Sequence, residues 1–298
     1  MKLLVNIVGA GHLGKTIGNL LLKHQLVTIG GICNTSKISA ESAIKFIGGG
    51  TYYPAICELP SADITFITTP DDLIKQACDE LSKNPFLKQE NIVLHCSGSL
   101  TSDTLNSASN KGCFVASVHP MRSFAKPELS IEEYQGTYCA MEGDEKSLPI
   151  LKSLFEKIGS ITYQIDKSKK SLYHAAGVFS SNYLVTLAQQ ALTCMQESGV
   201  ETEIAMHIIT NLMKGSISNL EKTLSPKQSL TGPIQRGDVS TIEKHMDALY
   251  DEDRKILYSS LGRATLALTT HKHEKKEIIE KALTTDVKKD PQQPHLFF

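Results

Sequence analysis

No stretch of this 298-residue sequence approaches the ~18 consecutive apolar residues of a membrane span, and no basic tract accompanies its net charge of -1. Neither a membrane-crossing role nor a general attraction to nucleic acid or anionic lipid is therefore expected. The seven cysteines, Cys33, Cys57, Cys78, Cys96, Cys113, Cys139 and Cys194, contain no Cys-x-x-Cys pair. An odd, scattered set of this kind reads as buried small hydrophobes, without a metal site or a disulfide framework. Met1-Lys2 lead straight into an apolar run that belongs to the fold, so no removable leader is expected and the chain is read as cytoplasmic. The rest is ordinary globular usage, 41% hydrophobic and 21% charged residues, over a length that allows two domains.

The most informative string is Gly9-Ala10-Gly11-His12-Leu13-Gly14, placed directly after Leu3-Leu4-Val5-Asn6-Ile7-Val8 and before a helical pattern through Ile17, Leu20, Leu21 and Leu22. Glycines alone are common in turns. A strand, a tight turn and a helix start in this order supply the context that a dinucleotide site requires. Gly9 serves the turn, Gly11 lets main chain approach a pyrophosphate, and Gly14 lets the helix pack on its strand. The helix start offers unpaired N–H groups and a positive dipole, so Ala10, His12 and Leu13 join the glycines as cofactor-binding candidates. The next strand, Leu26 to Cys33, ends at Asn34-Thr35-Ser36-Lys37, where an NAD-specific protein places an acid on the ribose 2′-hydroxyl. No acid stands there. Asn34, Thr35, Ser36 and the lysine can donate to a 2′-phosphate, so NADP is expected in preference to NAD. A plain polar turn would use the same residue types.

Strands and helices go on alternating, as a parallel sheet requires. Ile64 to Thr68 reads as a strand whose end, Thr68-Thr69-Pro70, can line ribose and nicotinamide; Pro70 equally suits the first position of a helix. The strand from Asn91 to Cys96 delivers Ser97 and Gly98 to the same end, as candidates for cofactor and substrate contact. Cys113 to Val118 leads into His119-Pro120-Met121-Arg122-Ser123-Phe124, where proline holds His119 extended and Arg122 can bind an anionic group. Tyr138 to Met141 and Ile161 to Ile165 add strands around a helix from Ile150 to Ile158. After Asp166 apolar residues recur at helical spacing from Lys167 to Ser198, and Glu203 to Leu220, Ser240 to Tyr250 and Asp253 to Thr270 continue the pattern. The expected fold class is α/β: a Rossmann domain with a doubly wound, mostly parallel sheet over residues 1–165, an all-helical domain over 166–275 and a polar tail over 276–298. His271-x-His273 lacks a third ligand, and no metal is expected.

Four stretches together carry a resemblance: Gly9 to Gly14, His119 to Phe124, Tyr173-His174-Ala175-Ala176-Gly177-Val178-Phe179-Ser180-Ser181-Asn182-Tyr183, and Leu230-Thr231-Gly232-Pro233-Ile234-Gln235-Arg236-Gly237-Asp238. They resemble the Rossmann-like oxidoreductases with a C-terminal domain of unknown function, which are similar to pyrroline-5-carboxylate reductases, ketopantoate reductases and deazaflavin-dependent NADP oxidoreductases. The likeness covers nearly the whole chain apart from the tail. It implies a long helix in the interdomain cleft and a helical domain that mediates a homodimer.

On that helix Lys170, His174 and Ser181 fall within about 40° of one face, with Asn182 about 80° from His174. A histidine there could exchange the proton that accompanies hydride transfer to C=O or C=N, and Asn182 could hold substrate or carboxamide. Polar residues on an amphipathic helix also commonly face solvent. His119 and Lys170 complete the catalytic candidates, while Ser181 and Arg236 join Ser97, Gly98 and Arg122 as substrate-binding ones; the planar fork of Arg236 suits a carboxylate or phosphate. Asp238, or a Ser240-x-x-Glu243 box, can cap the next helix. Related hydroxyacid dehydrogenases carry a lysine four residues before the helix asparagine, where this chain has Val178, so a lysine mechanism is not carried over. The expected activity is NADP-dependent hydride transfer between nicotinamide and a small, anionic carbonyl, imine or hydroxy compound. The alternatives are a nucleotide-binding sensor or scaffold without turnover, and hydride exchange with a deazaflavin, for which no residue speaks.

Overall fold

The computed structural model describes residues 2–284, which form two compact units, one up to Asn182 and one from Tyr183 onward. The first contains β1 (Leu3–Val8), α1 (His12–Lys23), β2 (Val27–Cys33), α2 (Lys37–Ile47), β3 (Thr51–Tyr52), β4 (Ile64–Ile67), α3 (Asp71–Leu81), β5 (Ile92–His95), α4 (Asn106–Ser109), β6 (Phe114–Pro120), α5 (Pro127–Glu132), β7 (Tyr138–Gly143), α6 (Leu148–Lys157), β8 (Ile161–Gln164) and α7 (Lys170–Ser180). Its eight strands form one sheet, in the order β3-β2-β1-β4-β5-β6-β7-β8. Neighbours are parallel except β6 and β7, which pair antiparallel. The chain leaves β1 for β2 on one side and returns to β4 on the other. The order thus reverses at the carboxyl end of β1, where open α/β sheets bind ligands.

The near-continuous apolar runs of the strands follow from burial on both faces. Side chains alternate along a strand, and here the alternation divides them between two cores. Val5 and Ile7, Ile64 and Phe66, Ile92 and Leu94, and Ala116 and Val118 join one core with α1, α2 and α6. Val8, Ile67, Val93 and Val115 join another with α3. A strand with one wet face would have shown polar residues at every second place.

Two expectations change beyond β8. The long helix from Lys167 to Ser198 is two helices, α7 and α8 (Asn182–Glu197), separated at Ser181, whose φ of -123° and ψ of -68° leave the helical region. The Ser180 hydroxyl donates back to the carbonyls of Ala176 and Gly177, at 2.9 and 3.3 Å. Such back-bonding competes with the helical ladder and bends it. α7 also clusters with the sheet, because Lys170 at its start is buried against β6 and β7. The division between units therefore falls at 182/183 and not at the expected 165/166.

The second unit continues with α9 (Thr202–Thr223), α10 (Pro226–Ser229), α11 (Pro233–Arg236), α12 (Val239–Ala248), α13 (Glu252–Leu268) and α14 (His273–Ala282). Asp238, not the Ser240 box, caps α12 by accepting from Thr241 N at 3.1 Å. The expected polar tail from 276 is corrected: Ile279 of α14 and Leu283 at its C-cap are buried with Ile234, Ile242 and Leu266. Two apolar residues at helical spacing suffice to seat it, although charged residues surround them. The tail residues 285–298 lie outside the described residues. No helix among those described is long and apolar enough to cross a membrane.

Candidate active site

The turn after β1 is held from three directions. Gly9, at φ +78°, donates its N–H to Cys33 O at 2.8 Å, and a Cβ there would lie 2.6 to 3.0 Å from Thr69 atoms. The Thr68 hydroxyl donates to Gly9 O at 2.8 Å. Asn34 closes the other side, accepting from Ala10 N at 2.7 Å and donating to Ser39 Oγ at 2.9 Å. His12 donates from Nδ1 to Phe124 O at 2.9 Å, while Leu13 packs against the core.

Gly11 is different. It is the N-cap of α1 with no side-chain cap, its φ is -75°, and a Cβ there would find only Gly9 O, at 4.0 Å. The fold does not need a glycine at this position. Clearance above the helix start is what a diphosphate seated on main chain requires. Beside the turn opens a cleft of about 260 Å³ whose lining includes Gly9, Asn34, Thr35, Ile56, Thr69 and Leu73. Thr69 Oγ1 is buried there with no hydrogen-bond partner among the described residues, a group that a ligand would satisfy. Of the expected 2′-phosphate ligands, Asn34 is thus committed to the turn, and the Ser36 hydroxyl caps α2 by accepting from Ser39 N. Thr35 lines the cleft and Lys37 stands exposed, 3.8 Å from Glu41.

The second part of the site is the Ser97-Gly98-Ser99 loop after β5. Ser97 N donates to His95 Nδ1 at 3.1 Å, and the Ser97 and Ser99 hydroxyls donate to Asp71 Oδ2 at 2.7 and 2.9 Å. Ser97 O accepts from Ser117 Oγ at 3.4 Å. Behind Ser117 lies a fully buried ion pair: Lys170 Nζ bonds Ser117 Oγ and, at 3.0 Å, Glu142 Oε1. Glu142 also accepts from Ser102 N and Oγ, at 2.9 and 2.7 Å. Burial holds the Lys170 ammonium below the usual lysine range, and Glu142 partly offsets this. A loop bound at so many points is held ready for a partner.

Gly98 is where two imidazoles converge. A Cβ on it would lie 2.4 Å from His174 Nδ1 and 2.8 Å from His119 Nε2. The rings meet edge to face with centroids 5.9 Å apart. Burial, then the neighbouring His174 and Lys170, push the His119 pKa down to about 4. No described group hydrogen-bonds the His174 ring. Only a glycine lets both imidazoles come this near to the loop.

The catalytic candidates His119 and His174 are therefore brought together at Gly98. Lys170 is not at the cleft: it is 2% exposed and spent on Glu142 and Ser117. Its place four residues after Asp166, one helical turn before His174, put it on the right face but below the surface. The Ser97 hydroxyl is committed to Asp71 and to Ser99 and Leu100 N–H groups. Arg122 is paired with the Glu133 carboxylate and carbonyl, which removes it as an open anion site. Pro70 is the N-cap of α3, not its first residue. Ser181 and Asn182 are exposed at the break between α7 and α8, and Arg236 is exposed at the end of α11 in the other unit. Sequence reasoning missed Asp71, Ser117, Glu142, Tyr163 and Tyr173. The one usable signal was Glu142, an acid closing the apolar run Cys139-Ala140-Met141.

Comparison with known proteins accords with this architecture. Residues 1–120 match the Rossmann-like domain family, and residues 137–265 match a domain of unknown function, DUF2520. The chain joins a Rossmann-like domain to a DUF2520 domain, the pairing that the sequence resemblance implied. Among solved structures it is similar to protein TM1727 from Thermotoga maritima, with 28% identity and a TM-score of 0.70 over 93% of this chain and 98% of that one. An imine reductase from Myxococcus stipitatus in complex with NADP+ gives 15% identity and a TM-score of 0.63 over 88% of this chain and 91% of that one. A pyrroline carboxylate reductase from Plasmodium falciparum with NADP bound gives 13% and 0.60 over 95% and 98%. At those identities the two enzymes share the fold alone. The search of curated proteins gave no match.

Proposed function

We propose that this protein is an NADP-linked oxidoreductase acting on a small carbonyl, imine or hydroxy compound. The observation that carries the reading is Gly11, a bare helix N-cap with open space where its side chain would be, next to a cleft that contains an unsatisfied threonine hydroxyl. Gly9 to Leu13 would hold the diphosphate, the cleft by Thr35 and Ile56 the adenosine, and the Gly98 region the reacting end. When bound, the nicotinamide supplies or accepts the hydride. NADP is preferred because the turn after β2 offers Thr35, the start of α2 and Lys37 but no carboxylate. Structural neighbours were solved with NADP+, NADP or NAD+, which supports a nicotinamide nucleotide here.

His174 takes the role of proton exchanger, being beside Gly98 with no hydrogen bond to its ring among the described residues, and His119 contacts the substrate. The anionic substrate expected from Arg122 loses that support, since Arg122 is paired. The helical unit is read as the surface for a second copy of the chain, on grounds given below. A cytoplasmic location rests on seven cysteines that are all free thiols.

Calorimetry with NADP, NADPH, NAD and NADH tests the reading. Tighter binding of the phosphorylated pair is expected, and the Gly11→Asp variant discriminates site from fold. Aspartate is a better N-cap than glycine and favours a helix start, so the melting temperature should hold or rise. Its carboxylate would meet the diphosphate, so affinity should fall by at least about tenfold, or 1.4 kcal/mol. Unchanged affinity in Gly11→Asp, or no heat with any of the four nucleotides, would sink the proposal.

A further inference from the structure

One hydrogen-bonded chain at the site has no part in the cofactor reading. Tyr163 OH donates to Tyr173 OH at 3.2 Å, and Tyr173 OH lies 3.1 Å from His119 Nδ1. The rings follow one another edge to face, with 6.4 Å between the tyrosine centroids and 5.7 Å between Tyr173 and His119. The hydroxyl of Tyr173 accepts from Tyr163, which leaves its own hydrogen available to His119 Nδ1. With Tyr173 as the donor, Nδ1 accepts and a neutral ring carries its proton on Nε2, the nitrogen that faces Gly98.

We propose that Tyr173, oriented by Tyr163, is a positioning residue that locks His119 as a neutral imidazole with Nε2–H presented at Gly98, and that this donor selects a carbonyl oxygen over a protonated imine. A carbonyl has a lone pair for an N–H donor, whereas a protonated imine has none and brings a hydrogen of its own. The surroundings of His119 support the locked state. Burial opposes a positive charge on the ring, as do the neighbouring His174 and Lys170 on α7 and His95 on β5; Asp71 on α3 favours one but is outweighed, and the pKa falls to about 4. Burial also raises the Tyr173 pKa, so its hydroxyl keeps its proton. A neutral imidazole acting as a fixed electrophilic donor is an established catalytic device.

The inference rests on the oxidoreductase reading for its substrate half but not for the tautomer. Long-range 1H–15N correlation spectra of the histidine rings in the whole, ligand-free protein, from about pH 5 to 8, read the tautomer directly, with His119→Gln for assignment. The wild type should show one unprotonated ring with Nε2–H across that range. Tyr173→Phe should release it into a mixture of tautomers, and Tyr163→Phe, which leaves Tyr173 in place, should do so partly. An Nδ1–H ring in the wild type, or a Tyr173→Phe spectrum matching the wild type, overturns the lock. NADPH oxidation is then followed with small aldehydes and ketones against cyclic imines. Faster turnover of carbonyls is expected, with kcat for them falling on the order of 10²-fold in Tyr173→Phe at little change in KM. Faster turnover of imines overturns the selectivity. Turnover of neither, with the tautomer as expected, overturns the oxidoreductase reading and the substrate half with it while the lock stands.

Discussion

The ring of His95 is fully buried, its Nε2–H donating to Thr101 O at 3.1 Å and its Nδ1 accepting from Ser97 N. Burial opposes a charge on this ring and the nearby Lys170 adds to that, while protonation would also put a second donor against the Ser97 N–H. The pKa accordingly falls from 6.5 to about 4. Between those values the unfolded chain binds the proton and the folded chain does not, so folding stability drops as pH falls through that window and levels off below it. The loss from this residue should approach about 3 kcal/mol. Urea unfolding of the wild type against His95→Gln measures it, and parallel pH dependences for the two proteins would refute the assignment. Nothing in Ile92-Val93-Leu94-His95 announced this, because a polar residue at a strand end reads equally as an exposed one. Gly11 was singled out by its motif context, His119 by the proline that follows it and His174 by its helix face. Tyr173 was not, because its partner Tyr163 comes from a different element.

The join of α7 to the sheet depends on Lys170 and Glu142. Two charges withdrawn from water stabilise little as a pair, but removing one leaves the other alone in the interior. Lys170→Met should therefore cost about 3–5 kcal/mol in chemical unfolding. Adding Glu142→Gln, which keeps an acceptor for Ser102 without the charge, should recover part of that loss. A cost under about 1 kcal/mol for Lys170→Met would mean that the pair does not anchor the helix. At this scale the strands were readable because both faces are apolar. The antiparallel turn into β7 and the break at Ser181 were not, for strand order in space decides the one and local hydrogen bonds the other. α14 was hidden by its charge: only Ile279 and Leu283 needed to be apolar.

Seen whole, the helical unit is short of cover. α8 has no buried residue in its 16, and the 22-residue α9 buries only Ala205 and Ile209. Val185 is 71% exposed and Leu212 62%. Large exposed apolar surface marks an interaction site, and closed pairing of identical chains is the commonest way to bury it. Light scattering should give twice the 32.6 kDa of the chain, and Val185→Glu with Leu212→Glu should shift the mass toward the single chain. A wild-type mass of 32.6 kDa at high concentration would refute the pairing. The division into a sheet unit and a helical unit was legible in the change of periodicity near Asp166, whereas its true place at Asn182 was set by a buried lysine that no periodicity reveals.

That lysine has a practical corollary for anyone who wants the nucleotide-binding half by itself. A chain ended at residue 165 would keep Glu142 and discard the lysine paired with it, stranding an anion beneath the loop that carries Gly98; the natural scissors mark is after Asn182.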